Sequence, residues 1–129
     1  MHERSWLSIP RRALTHEEQG WIKDILSASK EWADVCLDEL YVVGKCACGC
    51  RTVLLEPPQR VQNPRLTGQK GLVGEIDLTV RIGDKEDVVS VFLHHVAGNL
   101  RELEVVWYNF PDPVPSSWIE VHRTVTAAA

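Results

Sequence analysis

The chain has 129 residues, 44% of them hydrophobic and 25% charged, which is typical of one globular domain covering residues 1–129. Its formal net charge of −4 argues against a nucleic-acid-binding role that depends on a broad basic face. The N-terminus shows no apolar core of signal-peptide length, and no apolar stretch is long enough to span a bilayer. These features favour a cytoplasmic protein that binds neither nucleic acid nor membrane.

A helical segment is predicted near the start of the chain. Thr15 and Glu18 have the spacing of a capping box, in which each side chain bonds a backbone N–H of the first turn. Apolar residues then recur at steps of three and four. They are Trp21, Ile22, Ile25, Leu26, Trp32, Ala33, Cys36 and Leu37. We therefore expect residues 15–37 to be mainly helical, with "SASKEW" as a place where the helix can break.

Beyond residue 38 the pattern changes to the alternation of strands. Strands are predicted at 40–46, 51–56, 72–82, 87–95 and 102–109, with a further edge strand in "WIEVHRTV". The turns "GDKE" and "AGN" join the last three of the numbered strands into an antiparallel meander. The predicted fold is α+β, with the N-terminal helical segment packed on a four- to six-stranded, mostly antiparallel sheet.

Two polar segments fall outside these elements. Residues 57–71, "PPQRVQNPRLTGQKG", form a connection of a length that is usually functional or disordered. Residues 110–117, "FPDPVPSS", are rich in proline, which favours a stiff, extended path and cannot donate to a sheet ladder.

The stretch "CACGC", residues 46–50, lies between two predicted strands, and Gly49 is expected to supply the positive φ of a hairpin turn. If Cys48 and Gly49 alone form the loop, Cys46 and Cys50 point to opposite faces of the sheet. If Ala47 joins the loop, the two thiols become cross-strand neighbours on one face. Only this second register is expected to allow a metal site or a disulfide.

Three uses of the cysteines remain open at this point. A cytoplasmic location keeps thiols reduced, which favours free or metal-bound thiolates over disulfides. Zinc on Cys46, Cys48 and Cys50 would need a fourth ligand, and the remaining cysteine, Cys36, is predicted on the apolar helical stripe. We therefore predict a metal-free turn and no cofactor, with bound zinc and redox use as alternatives.

Three segments resemble a family of small bacterial proteins. They are "LTHEEQGWIKDILS", "YVVGKCACGCRTVLLE" and "LRELEVVWYNFPDPVP", and the family shares a "VVG-[RK]-C-x-CGC-x-[ST]-V" core and a late "L-x-x-[LI]-E-V-x-W-Y" strand. The likeness spans most of residues 14–115. The family has no established activity, so the resemblance implies a fold and no function.

Catalytic signatures are sparse in the sequence. His94, His95, Asp77 and Glu75 are candidates for a general acid and base, but adjacent histidines on a strand point to opposite faces. We found no phosphate-binding loop, nucleophile elbow or metalloprotease motif. The chain is therefore predicted not to be an enzyme, with a small hydrolase as a lesser alternative.

Charged and aromatic residues favour a protein-binding role. Acidic residues concentrate on the meander strands and on one of their turns, and aromatic residues gather around the proline-rich segment. The acidic set is Glu75, Asp77, Asp84, Glu86, Asp87, Glu102 and Glu104, and the aromatic set is Trp107, Tyr108, Phe110 and Trp118. The alternative is an ordinary solvated sheet face.

A small acidic protein of this kind suits capture of a basic protein. One class that fits is the immunity protein, which in contact-dependent growth inhibition neutralises a nuclease-type toxin from a bacterium of the same kind. This expectation rests on size, charge and analogy. The alternative function is a zinc-binding accessory domain that uses the "CACGC" cluster.

Overall fold

An antiparallel sheet with a helix on one face forms the framework of the computed structural model, which describes residues 5–32, 35–56, 60–66, 68–109 and 117–128. The helix, α1, spans His16–Ala28. The strands are β1 Trp6–Ala13, β2 Tyr41–Cys46, β3 Val53–Leu55, β4 Lys70–Ile82, β5 Lys85–Val96, β6 Asn99–Trp107 and β7 Ile119–Ala127. Their spatial order is β1-β2-β3-β6-β5-β4-β7. The predicted α+β class is confirmed, but the sheet has seven strands instead of four to six.

The additional strand is β1, which the sequence pattern did not indicate. Its partly buried residues recur every third position, whereas a strand with one covered face repeats every second. The register against β2 also shifts between Ser8 and Arg12, and Pro10 lies within this irregular part. As an edge strand β1 pairs only with β2, so a proline and a broken alternation are tolerated there.

The helix begins as predicted. Glu18 N–H donates to Thr15 Oγ1 at 3.1 Å, and Thr15 N–H donates to Glu18 Oε1 at 2.9 Å. The Glu18 carboxylate is buried and also accepts two hydrogen bonds from Arg12, which ties β1 to the helix. One face of α1 is buried against the sheet through Trp21, Ile22, Ile25 and Leu26.

The helix ends earlier than predicted. It stops at Ala28, and the following segment forms short 3-10 turns at Lys30–Trp32 and Leu37–Glu39. The break therefore falls at "SASKEW", and the expectation of helix to residue 37 is wrong beyond it. Ala33 lies outside the described residues, and Cys36 is exposed instead of lying on the buried stripe.

The predicted meander of β4, β5 and β6 is confirmed by two long antiparallel pairings, each with one register shift. Alternate residues of these strands are fully or almost fully buried on the face that α1 covers. They include Ile76, Leu78, Val80, Val89, Val91, Leu93, Leu103 and Val105. We call the opposite face of the sheet the outer face. The predicted edge strand in "WIEVHRTV" is also confirmed, as β7, which pairs with β4.

The long connection before β4 is fixed onto the turn between β5 and β6. Asn63 N–H donates to the carbonyl of Gly98 at 2.8 Å, and Gln62 N–H donates to Asn99 Oδ1 at 3.0 Å. Leu100 N–H donates in turn to Gln62 Oε1 at 2.7 Å. The described part of this connection therefore has a structural role. Residues 57–59 and 67, and residues 110–116 of the proline-rich segment, lie outside the described residues.

None of the described helices has the length and apolar character needed to cross a membrane.

Candidate functional site

Four of the predicted acidic residues lie on the outer face. Glu75 and Asp77 belong to β4, while Glu102 and Glu104 belong to β6, and β5 runs between them. Strand pairing sets Glu75 and Glu104 on either side of Phe92, which places these three side chains in one row across the sheet. The outer face thus carries carboxylates on both sides of β5.

His94 lies among these carboxylates. Its Nε2–H donates to Glu104 Oε1 at 2.9 Å, and strand pairing places it opposite Glu102. A ligand atom from each of His94, Glu102 and Glu104 falls within 4.8 Å of the others, and all three side chains are half-buried.

A hydrogen-bonded chain organises the next row of the outer face. The hydroxyl of Tyr108 donates to Ser90 Oγ at 2.8 Å, and Ser90 Oγ donates to Asp77 Oδ1 at 2.7 Å. Ser90 is buried, whereas Tyr108 is 56% exposed. The tyrosine ring therefore stands at the surface while its hydroxyl is held in place. Leu72 and Val88, on the same face, are also exposed.

The remaining acidic residues of the predicted surface have separate positions. Asp84 lies in the turn between β4 and β5 and Glu86 lies at the start of β5; both are exposed, and Glu86 accepts a hydrogen bond from Arg81. Asp87 is buried, and its carboxylate accepts hydrogen bonds from the backbone of Val88 and from the backbone and side chain of Asn109. Asp87 thus fixes the chain after β6 and is not available to a partner.

Trp107 and Trp118 lie on the helix side of the sheet, away from the four carboxylates. Their ring centroids are 4.8 Å apart in an edge-on arrangement, and Trp118 stacks on the buried Trp21 of α1 at 6.4 Å. The guanidinium of Arg51 lies 3.4 Å from the centre of the Trp118 ring. The predicted surface is therefore divided between two faces, and among the described residues of the aromatic set only Tyr108 joins the acidic residues. Phe110 lies outside the described residues.

The histidines point to opposite faces of β5, as expected. His95 is only 6% exposed, and its ring packs against Trp32 with centroids 5.3 Å apart. Burial lowers the pKa of His95 below its usual value, while neighbouring Glu31 acts in the opposite direction. Asp77 pairs with Ser90, four positions along β5 from His94. His95 therefore lies on the other face of the sheet from His94, Glu75 and Asp77, so the four residues of the hydrolase alternative do not form one group.

The cysteine turn, residues 46–50, differs from both predicted registers. β2 ends at Cys46, and Cys46 N–H donates to the carbonyl of Thr52 at 3.1 Å, so the connection runs from 47 to 52. Gly49 has a φ of 87°, which confirms the predicted left-handed conformation. Its N–H donates to the carbonyl of Cys46 at 3.2 Å and closes the turn.

This longer connection brings the three thiols of the turn together. The sulfur atoms of Cys46, Cys48 and Cys50 all lie within 4.8 Å of one another, and those of Cys46 and Cys48 are 3.0 Å apart. The expectation that only cross-strand pairing of Cys46 with Cys50 allows a metal site is therefore wrong. Cys36 does not belong to this group of ligand atoms.

Cys48 is poorly suited to nucleophilic chemistry. Burial, together with a hydrogen bond to Cys46, raises the pKa of Cys48 to about 11. The thiolate is the nucleophilic form of cysteine, and with this pKa Cys48 is a thiol at neutral pH.

The sequence matches no family model, and no curated protein or solved structure shows a significant match to it. The resemblance of the "VVG-[RK]-C-x-CGC-x-[ST]-V" stretch to a bacterial family thus remains an expectation. Function has to be argued from the outer face and the cysteine turn.

Proposed function

We propose that this protein binds a basic protein partner through its outer face, and that it acts as an immunity protein against a nuclease-type toxin. The observation that carries this proposal is the grouping of Glu75, Asp77, Glu102 and Glu104 on a sheet face against which no described helix packs. A nuclease needs basic residues around its substrate cleft, because it must neutralise phosphates. An acidic face of matching size attracts such a cleft and occludes it.

Apolar residues beside the carboxylates support a protein partner in preference to a small cation. Leu72, Val88 and Tyr108 are exposed on the same face, so desolvation of these side chains would add affinity to the electrostatic attraction. Tyr108 is the best anchor, since its hydroxyl is already bonded to Ser90 and little side-chain entropy is lost on binding. Trp107 and Trp118 are assigned to the core of the helix side in this proposal.

The test begins with co-expression of this protein and the product of the adjacent gene, followed by co-purification and a growth-rescue assay. Association rates are then compared for two double variants of equal charge change. Glu75→Lys with Asp77→Lys alters the outer face, whereas Asp38→Lys with Glu39→Lys alters exposed positions beside α1. We expect the first pair to slow association at least about tenfold at low salt, and the second to have a much smaller effect.

High salt should remove most of the difference between the two pairs, since screening weakens attraction between exposed charges. Circular dichroism controls for folding, because Asp77 also accepts a hydrogen bond from the buried Ser90. The proposal fails if the adjacent product neither co-purifies with the protein nor is neutralised by it. An equal effect of both pairs would show that the outer face is not the contact surface.

A further inference from the structure

The sulfur atoms of the cysteine turn are already close to the arrangement that a metal ion requires. With Zn–S bonds of about 2.3 Å in tetrahedral directions, three sulfur ligands lie about 3.8 Å apart. In the turn all three sulfur atoms are within 4.8 Å of one another, with 3.0 Å between Cys46 and Cys48. Each of these sulfur–sulfur distances therefore differs by no more than about 1 Å from the spacing that the ion requires.

The backbone of the turn is held from several sides. Cys46 N–H bonds to the carbonyl of Thr52, whose hydroxyl accepts the N–H of Val105 on β6 at 2.9 Å. Ala47 N–H donates to the carbonyl of Ser5, just before β1. These bonds join Cys46, Ala47 and Thr52 to neighbouring strands, so the two ends of the turn are fixed by the sheet before any ligand arrives.

The turn also provides a hydrogen-bond donor for a sulfur ligand. Cys50 N–H points at Cys48 Sγ, with 3.4 Å between nitrogen and sulfur. Such a donor stabilises a thiolate, and hydrogen bonds to ligand atoms are a regular part of metal sites. The left-handed conformation of Gly49 makes this approach possible, because the chain reverses between the two cysteines.

We propose that Cys46, Cys48 and Cys50 bind one thiophilic metal ion, and that in a reducing compartment this ion is Zn²⁺. Each thiol loses a proton on binding, and the ion is held by three thiolates. No fourth ligand group joins these three among the described residues, so the last tetrahedral position is filled by water or another small ligand. A soft sulfur donor set excludes Ca²⁺ and Mg²⁺, which prefer oxygen.

The test is a titration of the fully reduced protein with Co²⁺, a spectroscopic probe for zinc sites, followed by displacement with Zn²⁺. The expected result is one equivalent of Co²⁺ with thiolate-to-cobalt charge-transfer absorption, which Zn²⁺ abolishes. Cys48→Ser and Cys50→Ser should weaken binding at least about tenfold, since each removes one of three ligands. Cys36→Ser is the matched control, because Cys36 is exposed and outside the cluster, and it should bind like the wild type.

Cys46 is buried, so its replacement can disturb the fold, and the two more accessible cysteines therefore decide the question. Circular dichroism verifies that their variants are folded. Absence of charge-transfer absorption in the folded, reduced wild type would overturn the proposal. So would equal loss of binding in Cys36→Ser, or a Cys46–Cys48 disulfide found by mass spectrometry in protein isolated under reducing conditions.

Discussion

Gly98 offers a quantitative test of how the long connection before β4 is held. An added Cβ at this position would lie 2.2 Å from the carbonyl oxygen of Asn63 and 3.1 Å from its carbonyl carbon. Backbone atoms cannot rotate away from the methyl group, and Asn63 is fixed because its own N–H bonds to the carbonyl of Gly98. Gly98→Ala should therefore push residues 61–63 off the β5–β6 turn.

Gly83 provides the matched control. Both glycines have positive φ, 81° at Gly98 and 63° at Gly83, but no atom lies within 4 Å of a Cβ added at Gly83. Gly83→Ala should lower the free energy of unfolding by about 1–2 kcal/mol, the cost of a left-handed alanine. Gly98→Ala adds an overpacking cost of about 1–3 kcal/mol to this strain, for a total of about 2–5 kcal/mol.

Urea unfolding followed by tryptophan fluorescence measures both values, since the chain has five tryptophans. The informative quantity is the difference between the two variants, because the strain of positive φ is common to both. If the two substitutions lower the free energy of unfolding by the same amount within about 0.5 kcal/mol, the connection before β4 moves aside at little cost. Its position then does not depend on close contact with Gly98.

Two further predictions concern the helix and the buried histidine. Thr15→Ala removes the acceptor of the capping box and should cost about 1 kcal/mol in urea unfolding, whereas Thr15→Ser, which keeps the hydroxyl, should cost less. An equal cost for both would show that the hydroxyl does not cap the helix. Because burial lowers the pKa of His95, the unfolded chain binds its proton more readily. The contribution of His95 to the free energy of unfolding should thus be complete above about pH 6.5 and decrease as the pH falls towards the pKa of His95 in the folded protein. His95→Leu should therefore lose less stability than the wild type between about pH 7 and about pH 5. Parallel pH profiles of the two proteins would contradict this reasoning.

Local signals in the sequence were sufficient for much of the fold. The start of α1, the meander and the conformation of Gly49 each follow from a few neighbouring residues. The position of β1 and the convergence of the three thiols depend on pairings between distant parts of the chain, which local patterns do not encode. That Trp107 lies on the face opposite the acidic residues could have been predicted from the sequence, because Trp107 alternates in phase with Leu103 and Val105, which are buried. Tyr108 lies in phase with Glu102 and Glu104 and so shares their face.

The junction between β3 and β6 has a kinetic consequence. These strands pair through two residue pairs only, Val53 with Leu103 and Leu54 with Glu102. One further contact extends the junction: the Thr52 hydroxyl accepts a hydrogen bond from the N–H of Val105, which is 53 residues away in the chain. On one side of the junction lie β1 and β2, and on the other lies the meander with β7. Hairpins form quickly because their loops are short, whereas a contact across half the chain must first overcome a large closure entropy. We therefore expect the two halves of the sheet to form separately and to join late in folding. For the same reason the native sheet should open first at β3, which is only three residues long.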